Sequence, residues 1–312
     1  MVVCVAAYAA VGVIFDGGQV SRHGLPRLVD PWLLPLLLIM APLNYLLRFV
    51  KWHAYTRRLG FLHVPWRANL MIFLAGLGLT LTPGKVGELV KSWLLWERYG
   101  VPAARSAPMI VADRLTDGCA MLALASLGAV LLGRGRVPWL LIVAIAVFIA
   151  LLRSRAVMLP LLRLLARLPR LRGAEHKLHE LLDSAQALLE FDIFAYALGL
   201  GLVGWGLEGL IVYLALGMFG YPFSVGASLL VVASSAIAGG ISALPGGVGA
   251  AEGVMVALLL WLGVPLSLAV LTTLITRFST LWLGVAIGLI CLSLTGTGKA
   301  RRGAPRADAA AG

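Results

Sequence analysis

Two stretches of this sequence carry the same chemically capable residues at matching intervals. Pro83-Gly84-Lys85-Val86-Gly87-Glu88 is followed by Gly100-Val101-Pro102 and then Asp113-Arg114. Pro245-Gly246-Gly247-Val248-Gly249-Ala250-Ala251-Glu252 is followed by Gly263-Val264-Pro265 and then Thr276-Arg277. Arg114 follows Pro102, and Arg277 follows Pro265, by the same 12 residues. Upstream, Arg48 lies 35 residues before Pro83, and Glu208 lies 37 before Pro245. Proline suits the first turn of a helix, and glycine permits a sharp entry and close backbone approach. Each Pro-Gly is therefore expected to open a short helix whose N-terminal dipole and free N–H groups suit an anion such as a phosphate. Arg48, Lys85, Arg114 and Arg277 are the expected anion binders, because guanidinium stays charged and offers forked donors to phosphate oxygens. Glu88, Asp113, Glu208 and Glu252 would balance those cations in an empty site. Glu208, whose counterpart in the other stretch is Arg48, is also the candidate for taking up a proton. A purely structural role, as ion pairs that lock the two repeats together, is the alternative for each residue.

The elements that must position these groups are set by composition. Of the 312 residues, 60% are apolar and only 13% charged, and the mean hydropathy is +0.94. Such a chain uses lipid as its solvent. A bilayer core of about 30 Å needs roughly 20 apolar residues per spanning helix, a length met by Pro31 to Val50, Ala103 to Gly133, Phe191 to Gly220 and Pro265 to Leu294. The net charge of +12 does not point to nucleic acid, since the basic residues collect at helix ends and in a few loops, where they act as topology signals. Charged groups inside spans cost about 2.5 to 3.5 kcal/mol each at a helix centre. Arg48, Asp113, Arg114, Asp117, Glu208 and Arg277, joined by Lys85, Glu88, Lys91 and Glu252, should therefore be paired around an interior cavity.

The expected fold is an all-α polytopic membrane protein built as an inverted internal repeat, with about six spanning helices and two re-entrant helical hairpins. The spans begin near Val2, Trp32, Ala103, Val137, Phe191 and Pro265, and each hydrophobic stretch before a Pro-Gly turns back without crossing. Residues 1–152 form the first membrane half, 153–190 a basic amphipathic cytoplasmic linker, 191–295 the second repeat and 296–312 a basic disordered tail. With both termini in the cytoplasm, the 51–67 loop with Lys51, His53, Arg57 and Arg58 is cytoplasmic too, and the Gly220 to Val225 turn lies outside. Arg134 and Arg136 then sit outside, against the rule. The extra helix from Val137 inverts the second half, an architecture of secondary transporters whose sites lie near the midplane between repeats.

Other chemistries are excluded. Gly84-Lys85 lacks the Ser or Thr and the upstream Gly of a phosphate-binding P-loop. Asp117-Gly118 continues Cys-Ala-Met-Leu and does not match the membrane alcohol phosphotransferases. No nucleophile elbow and no His-Glu-x-x-His occurs. Cys4, Cys119 and Cys291 show neither disulfide nor metal spacing. His176 and His179, one helical turn apart in the linker, lack a third ligand nearby.

The Pro-Gly-Lys-Val-Gly-Glu, the Asp113-Arg114 pair and the later Ala-Leu-Pro-Gly-Gly-Val-Gly-Ala-Ala-Glu together resemble the flippase-like transmembrane domain of lysylphosphatidylglycerol synthases and its stand-alone relatives, over roughly Trp32 to Leu294. The resemblance implies movement of a lipid between leaflets of the plasma (inner) membrane, without cofactor. In bifunctional members a separate soluble domain charges the lipid from aminoacyl-tRNA. No stretch of this sequence supplies that domain, so synthase activity is not expected. Stand-alone relatives are associated with glycolipid, polyprenyl-linked and hopanoid pathways. The expected partner is a membrane lipid with an anionic or phosphate-bearing head group, with no nucleic acid. Two alternatives remain: a non-transporting lipid-binding partner of a biosynthetic enzyme, and an ion-coupled small-anion transporter.

Overall fold

A computed structural model describes Asp30 and residues 32–82, 87–133 and 175–296. The spans expected from Val2 and Val137, the Pro83-Gly84-Lys85 corner, residues 153–174 of the linker and the 297–312 tail lie outside the described residues.

Every regular element among the described residues is helical. They are α1 (Leu33–Arg58), α2 (Trp66–Gly78), α3 (Val90–Tyr99), α4 (Ala103–Leu131), α5 (Glu175–Leu188), α6 (Phe191–Met218), α7 (Val225–Ile241), α8 (Ala250–Trp261), α9 (Leu266–Arg277) and α10 (Leu283–Gly296). A π-turn, Phe278–Trp282, joins α9 to α10. Three helical stretches are long and apolar enough to cross a bilayer: Ala103–Leu131, Phe191–Met218 and Leu266–Thr295. At 26 residues, α1 also has the length, about 39 Å at 1.5 Å per residue. The shorter apolar helices are Val225–Ile241 and Pro245–Trp261.

One correction concerns α1. The expected loop from residue 51 is helical as far as Arg58. Trp52 and Tyr55 are fully buried among Phe49, Phe73, Ile72 and Leu95, and burying such aromatic surface holds the helix well past the end of the continuous apolar run. The chain turns only at Gly60, whose φ of 80° stops the helix.

Contacts at the two ends fix the direction of each element. At one end the carbonyl of Leu59 accepts from Arg105 at 3.1 Å, and His63 meets the carbonyl of Tyr99 at 3.2 Å. Arg58 pairs there with Glu190 and Asp192, and Arg98 donates to the carbonyl of Thr295. At the other end Asp30 donates to the carbonyl of Met218, and Tyr221 donates to that of Gly263. The α2–α3 hairpin thus enters from the first end and α7–α8 from the second. Their inner turns meet, since a Cβ on Gly246 would lie 2.7 Å from Leu81 Cδ2.

The hairpins are exchanged between the halves: α2 packs on α10, α7 packs on α4, and α1 packs on α6. Glycines allow these close approaches. A Cβ on Gly128 of α4 would lie 2.5 Å from the carbonyl oxygen of Gly226 on α7. Within the sequence-defined linker, α5 packs on α4, and its Leu182, Ser184 and Leu188 are buried.

Candidate functional site

Six helices, α1, α3, α4, α6, α8 and α9, bring charge into the bundle. On α1, Asn44, Arg48, Lys51 and Tyr55 recur at i, i+4, i+7 and i+11, one face of a helix. Opposite, α4 presents Asp113, Thr116 and Asp117. Lys51, 1% exposed, places its Nζ 2.7 Å from Asp113 Oδ1 and 2.5 Å from Asp117 Oδ1. Two carboxylates one turn apart repel, so a lysine between them makes their joint burial tolerable. Lys51 therefore sits at the centre of the first half, which corrects its placement in a cytoplasmic loop. The polar stripe Asn44, Arg48, Lys51 and Tyr55 on α1 is the sequence signal that locates it.

Arg114 Nη2 lies 3.0 Å from Asp113, 3.4 Å from Glu88 and 3.9 Å from Asp117. Arg48 Nη2 lies 3.5 Å from Asp117. Lys91 on α3 is buried, 3.7 Å from Glu88, with its Nζ 4.6 Å from the centre of the Trp52 ring. Its stem crosses α2 at Gly76, where a Cβ would stand 2.6 Å from Lys91 Cγ. The lysine thereby clasps the two arms of the first hairpin.

The second half is simpler. Pro245–Gly247 forms a single 3-10 turn, with φ of 61° at Gly246 and 67° at Gly247. A Cβ on Gly247 would meet Gly239 Cα at 2.8 Å, so the turn lies flat on the end of α7. Arg277 Nε donates to Glu252 Oε1 at 2.5 Å, and its Nη2 donates to the Gly246 carbonyl at 2.8 Å. The other oxygen of Glu252 accepts from Gly249 N at 2.6 Å. The start of α8, expected as an open anion site, thus receives a carboxylate from its own first turn.

The two arginines that follow Gly-Val-Pro by 12 residues each bind the glutamate of the neighbouring hairpin, Arg114 with Glu88 and Arg277 with Glu252. They converge on a cavity of about 110 Å³ with Arg48, Glu88, Glu208 and Gly246 in its wall. Asp113, Pro245, Gly247 and Glu252 stand behind that wall, while Pro83, Gly84 and Lys85 lie outside the described residues. Tyr45 also lines the cavity and donates to the carbonyls of Ser279 and Thr280 in the π-turn at 3.1 and 3.0 Å. Such turns free carbonyls from the helix ladder and recur at functional sites.

The three arginines are not equivalent. Side-chain exposure is 30% for Arg114, 19% for Arg48 and 14% for Arg277. In Arg48 and Arg114, which both line the cavity, the buried Nε–H has no acceptor among the described residues. Arg277 is committed to the neighbouring hairpin turn. The arrangement can hold an anion at the Arg48 and Arg114 side, with the opposite wall braced by Arg277.

The model of a family described as the lysylphosphatidylglycerol synthase TM region matches residues 2–288, and the chain belongs to that family. No curated protein and no solved structure matches it significantly. With its apolar spans, the chain is a membrane protein linked to lipid biology.

Proposed function

We propose that this member of the lysylphosphatidylglycerol synthase TM region family moves a polar-headed, phosphate-bearing lipid between the leaflets of the plasma membrane and catalyses no covalent step. The observation that carries the reading is the cavity where the inner turns of two hairpins meet, walled by three arginines of which two keep an unused buried donor. A phosphodiester is the membrane anion that such forked donors fit. The acyl chains need no enclosed volume, since they remain in the bilayer while the head group passes.

The run α1–α4 begins at the Asp30 end of the bundle, and the run α6–α10 begins at the Glu190 end. We read them as an inverted repeat completed by spans near Val2 and Val137, six in all. Arg57, Arg58, Arg67, Arg98 and Arg105 gather at the end where α1 finishes. That end is cytoplasmic in our reading, because basic residues favour the cytoplasmic side.

The test is reconstitution of the purified chain into phosphatidylcholine vesicles carrying a trace of fluorophore-labelled phosphatidylglycerol. Dithionite quenches label in the outer leaflet only, so the extent of quenching reports how much inner-leaflet label is brought to the outer leaflet. Quenching beyond half of the label, faster than in protein-free vesicles, supports translocation. Lipid binding without movement, together with co-purification of a synthase, would instead make the protein a lipid-handing partner. Uptake of radiolabelled phosphate without lipid movement would make it a small-anion transporter, the reading that the modest cavity volume also favours.

A further inference from the structure

We propose that the cavity takes up a proton on Glu208 whenever it takes up an anion, so that head group and proton occupy the site together and are released together. The proposal rests on the anion-binding reading above.

Glu208 is the odd carboxylate of the site. Glu88 has Arg114 and Lys91, Asp113 and Asp117 share Lys51, and Glu252 has Arg277. Glu208 lines the same cavity and is 8% exposed, yet it forms no ion pair among the described residues. Its Oε1 accepts instead from the side-chain amide of Asn44 at 2.7 Å. Asn44 is held in place by α6, since a Cβ on Gly204 would stand 2.6 Å from Asn44 Oδ1. A neutral donor is thus fixed opposite Glu208 where the other four acids have a cation. An amide N–H bonds equally to a carboxylate oxygen or to the C=O of a protonated carboxyl, so this contact survives a change of charge.

The surrounding groups leave Glu208 available. From α1 it is faced by Tyr45 and Arg48, from α4 by Asp117 and from α9 by Arg277. Arg48 stands within ion-pair distance of Asp117, and Arg277 is bound to Glu252 and the Gly246 carbonyl. From α7, Ser235 in the cavity wall adds no charge. A cavity of about 110 Å³ cannot hold an anion on Arg48 far from Glu208. Two negative charges would then face each other in a low dielectric, and protonating the carboxyl removes one of them. The proton comes from the water phase, rests on Oε2 where it can donate to a phosphate oxygen, and returns to water when the anion leaves.

The experiment is calorimetric titration of the full chain in detergent with dihexanoylphosphatidylglycerol, whose phosphodiester keeps one negative charge across neutral and alkaline pH. Running it in buffers of different ionisation enthalpy counts the protons taken up on binding. We expect one proton per molecule bound at pH values where free Glu208 is ionised. Affinity should fall about tenfold per pH unit as pH rises through that ionisation. Glu208→Gln, which keeps the shape and the acceptor for Asn44, should bind with no proton uptake and no pH dependence. Wild-type binding without proton uptake at any pH overturns the proposal and leaves the anion site standing. Unchanged proton uptake in Glu208→Gln overturns it as well. Absence of binding overturns the anion site and this proposal together. The wild-type proton count decides the matter even if the variant does not fold.

Discussion

Gly78 and Gly288 bring α2 and α10 into backbone contact, since a Cβ on Gly78 would lie 2.7 Å from the carbonyl carbon of Gly288. The first arm of the α2–α3 hairpin is therefore seated on α10 by two residues with no side chain. Replacing Gly78 with Ala should force the helices apart and lower stability by about 1 to 3 kcal/mol. Gly199→Ala on α6, where a Cβ meets nothing within 4 Å, should leave the melting temperature in detergent unchanged or higher. Equal melting temperatures for the Gly78 variant and wild type would mean that the contact is not tight.

Lys51→Met should be among the most damaging single substitutions, because it removes the cation that lies between the buried carboxylates of Asp113 and Asp117 and leaves them only Arg114 and Arg48 at the cavity side. A loss of about 3 to 5 kcal/mol is expected, read as a fall in folded yield and melting temperature. Adding Asp113→Asn and Asp117→Asn to that background should recover part of it. Failure of the triple variant to recover would assign Lys51 a role other than neutralising the pair.

Arg114→Gln and Arg277→Gln should separate ligand binding from hairpin support. Arg114 lines the cavity and is the most exposed of the three arginines, so its loss should slow lipid movement by about tenfold or more, the equivalent of one charge-assisted hydrogen bond at about 1.5 to 3 kcal/mol. Arg277 holds the Gly246 carbonyl, so its loss should first lower the melting temperature. A folded Arg114→Gln protein that moves labelled phosphatidylglycerol at the wild-type rate would refute the phosphate-site assignment.

Cysteine accessibility checks the direction of the two hairpins in the membrane. In a background lacking Cys4, Cys119 and Cys291, Leu62→Cys should react with a membrane-impermeant maleimide only from the cytoplasmic side. Ser224→Cys should react only from the opposite side. Labelling of both from one side would refute the proposed topology.

The site was legible wherever the sequence repeated itself. The shared interval from Gly-Val-Pro to arginine marked Arg114 and Arg277, and the structure pairs each with the glutamate that the motif also contains. Lys51 is not legible in this way, because its neighbours Arg57 and Arg58 do sit at the helix end and the basic cluster reads as one. Linear neighbours on a helix face different ways, and only the stripe from Asn44 through Arg48 to Tyr55 points inward with it. Asn44 is neutral, so charge spacing does not single it out, although its contact with Glu208 spans the α1–α6 interface. The role of Arg277 in bracing the neighbouring hairpin could not be read from spacing, since it depends on where the Gly246 carbonyl points.

Exchange of the hairpins between the two halves constrains how the protein is made. When α2 and α3 leave the ribosome, the helix on which α2 rests has yet to be translated, and roughly 200 residues separate Gly78 from Gly288. Until then the first hairpin has an unsupported turn and a buried-type lysine without its final surroundings, a state that chaperones or the insertion machinery must shelter. The same interlocking means that neither half is a self-sufficient unit. Two separately encoded halves, cut within the linker before α5, should accumulate only when both are produced in the same cell.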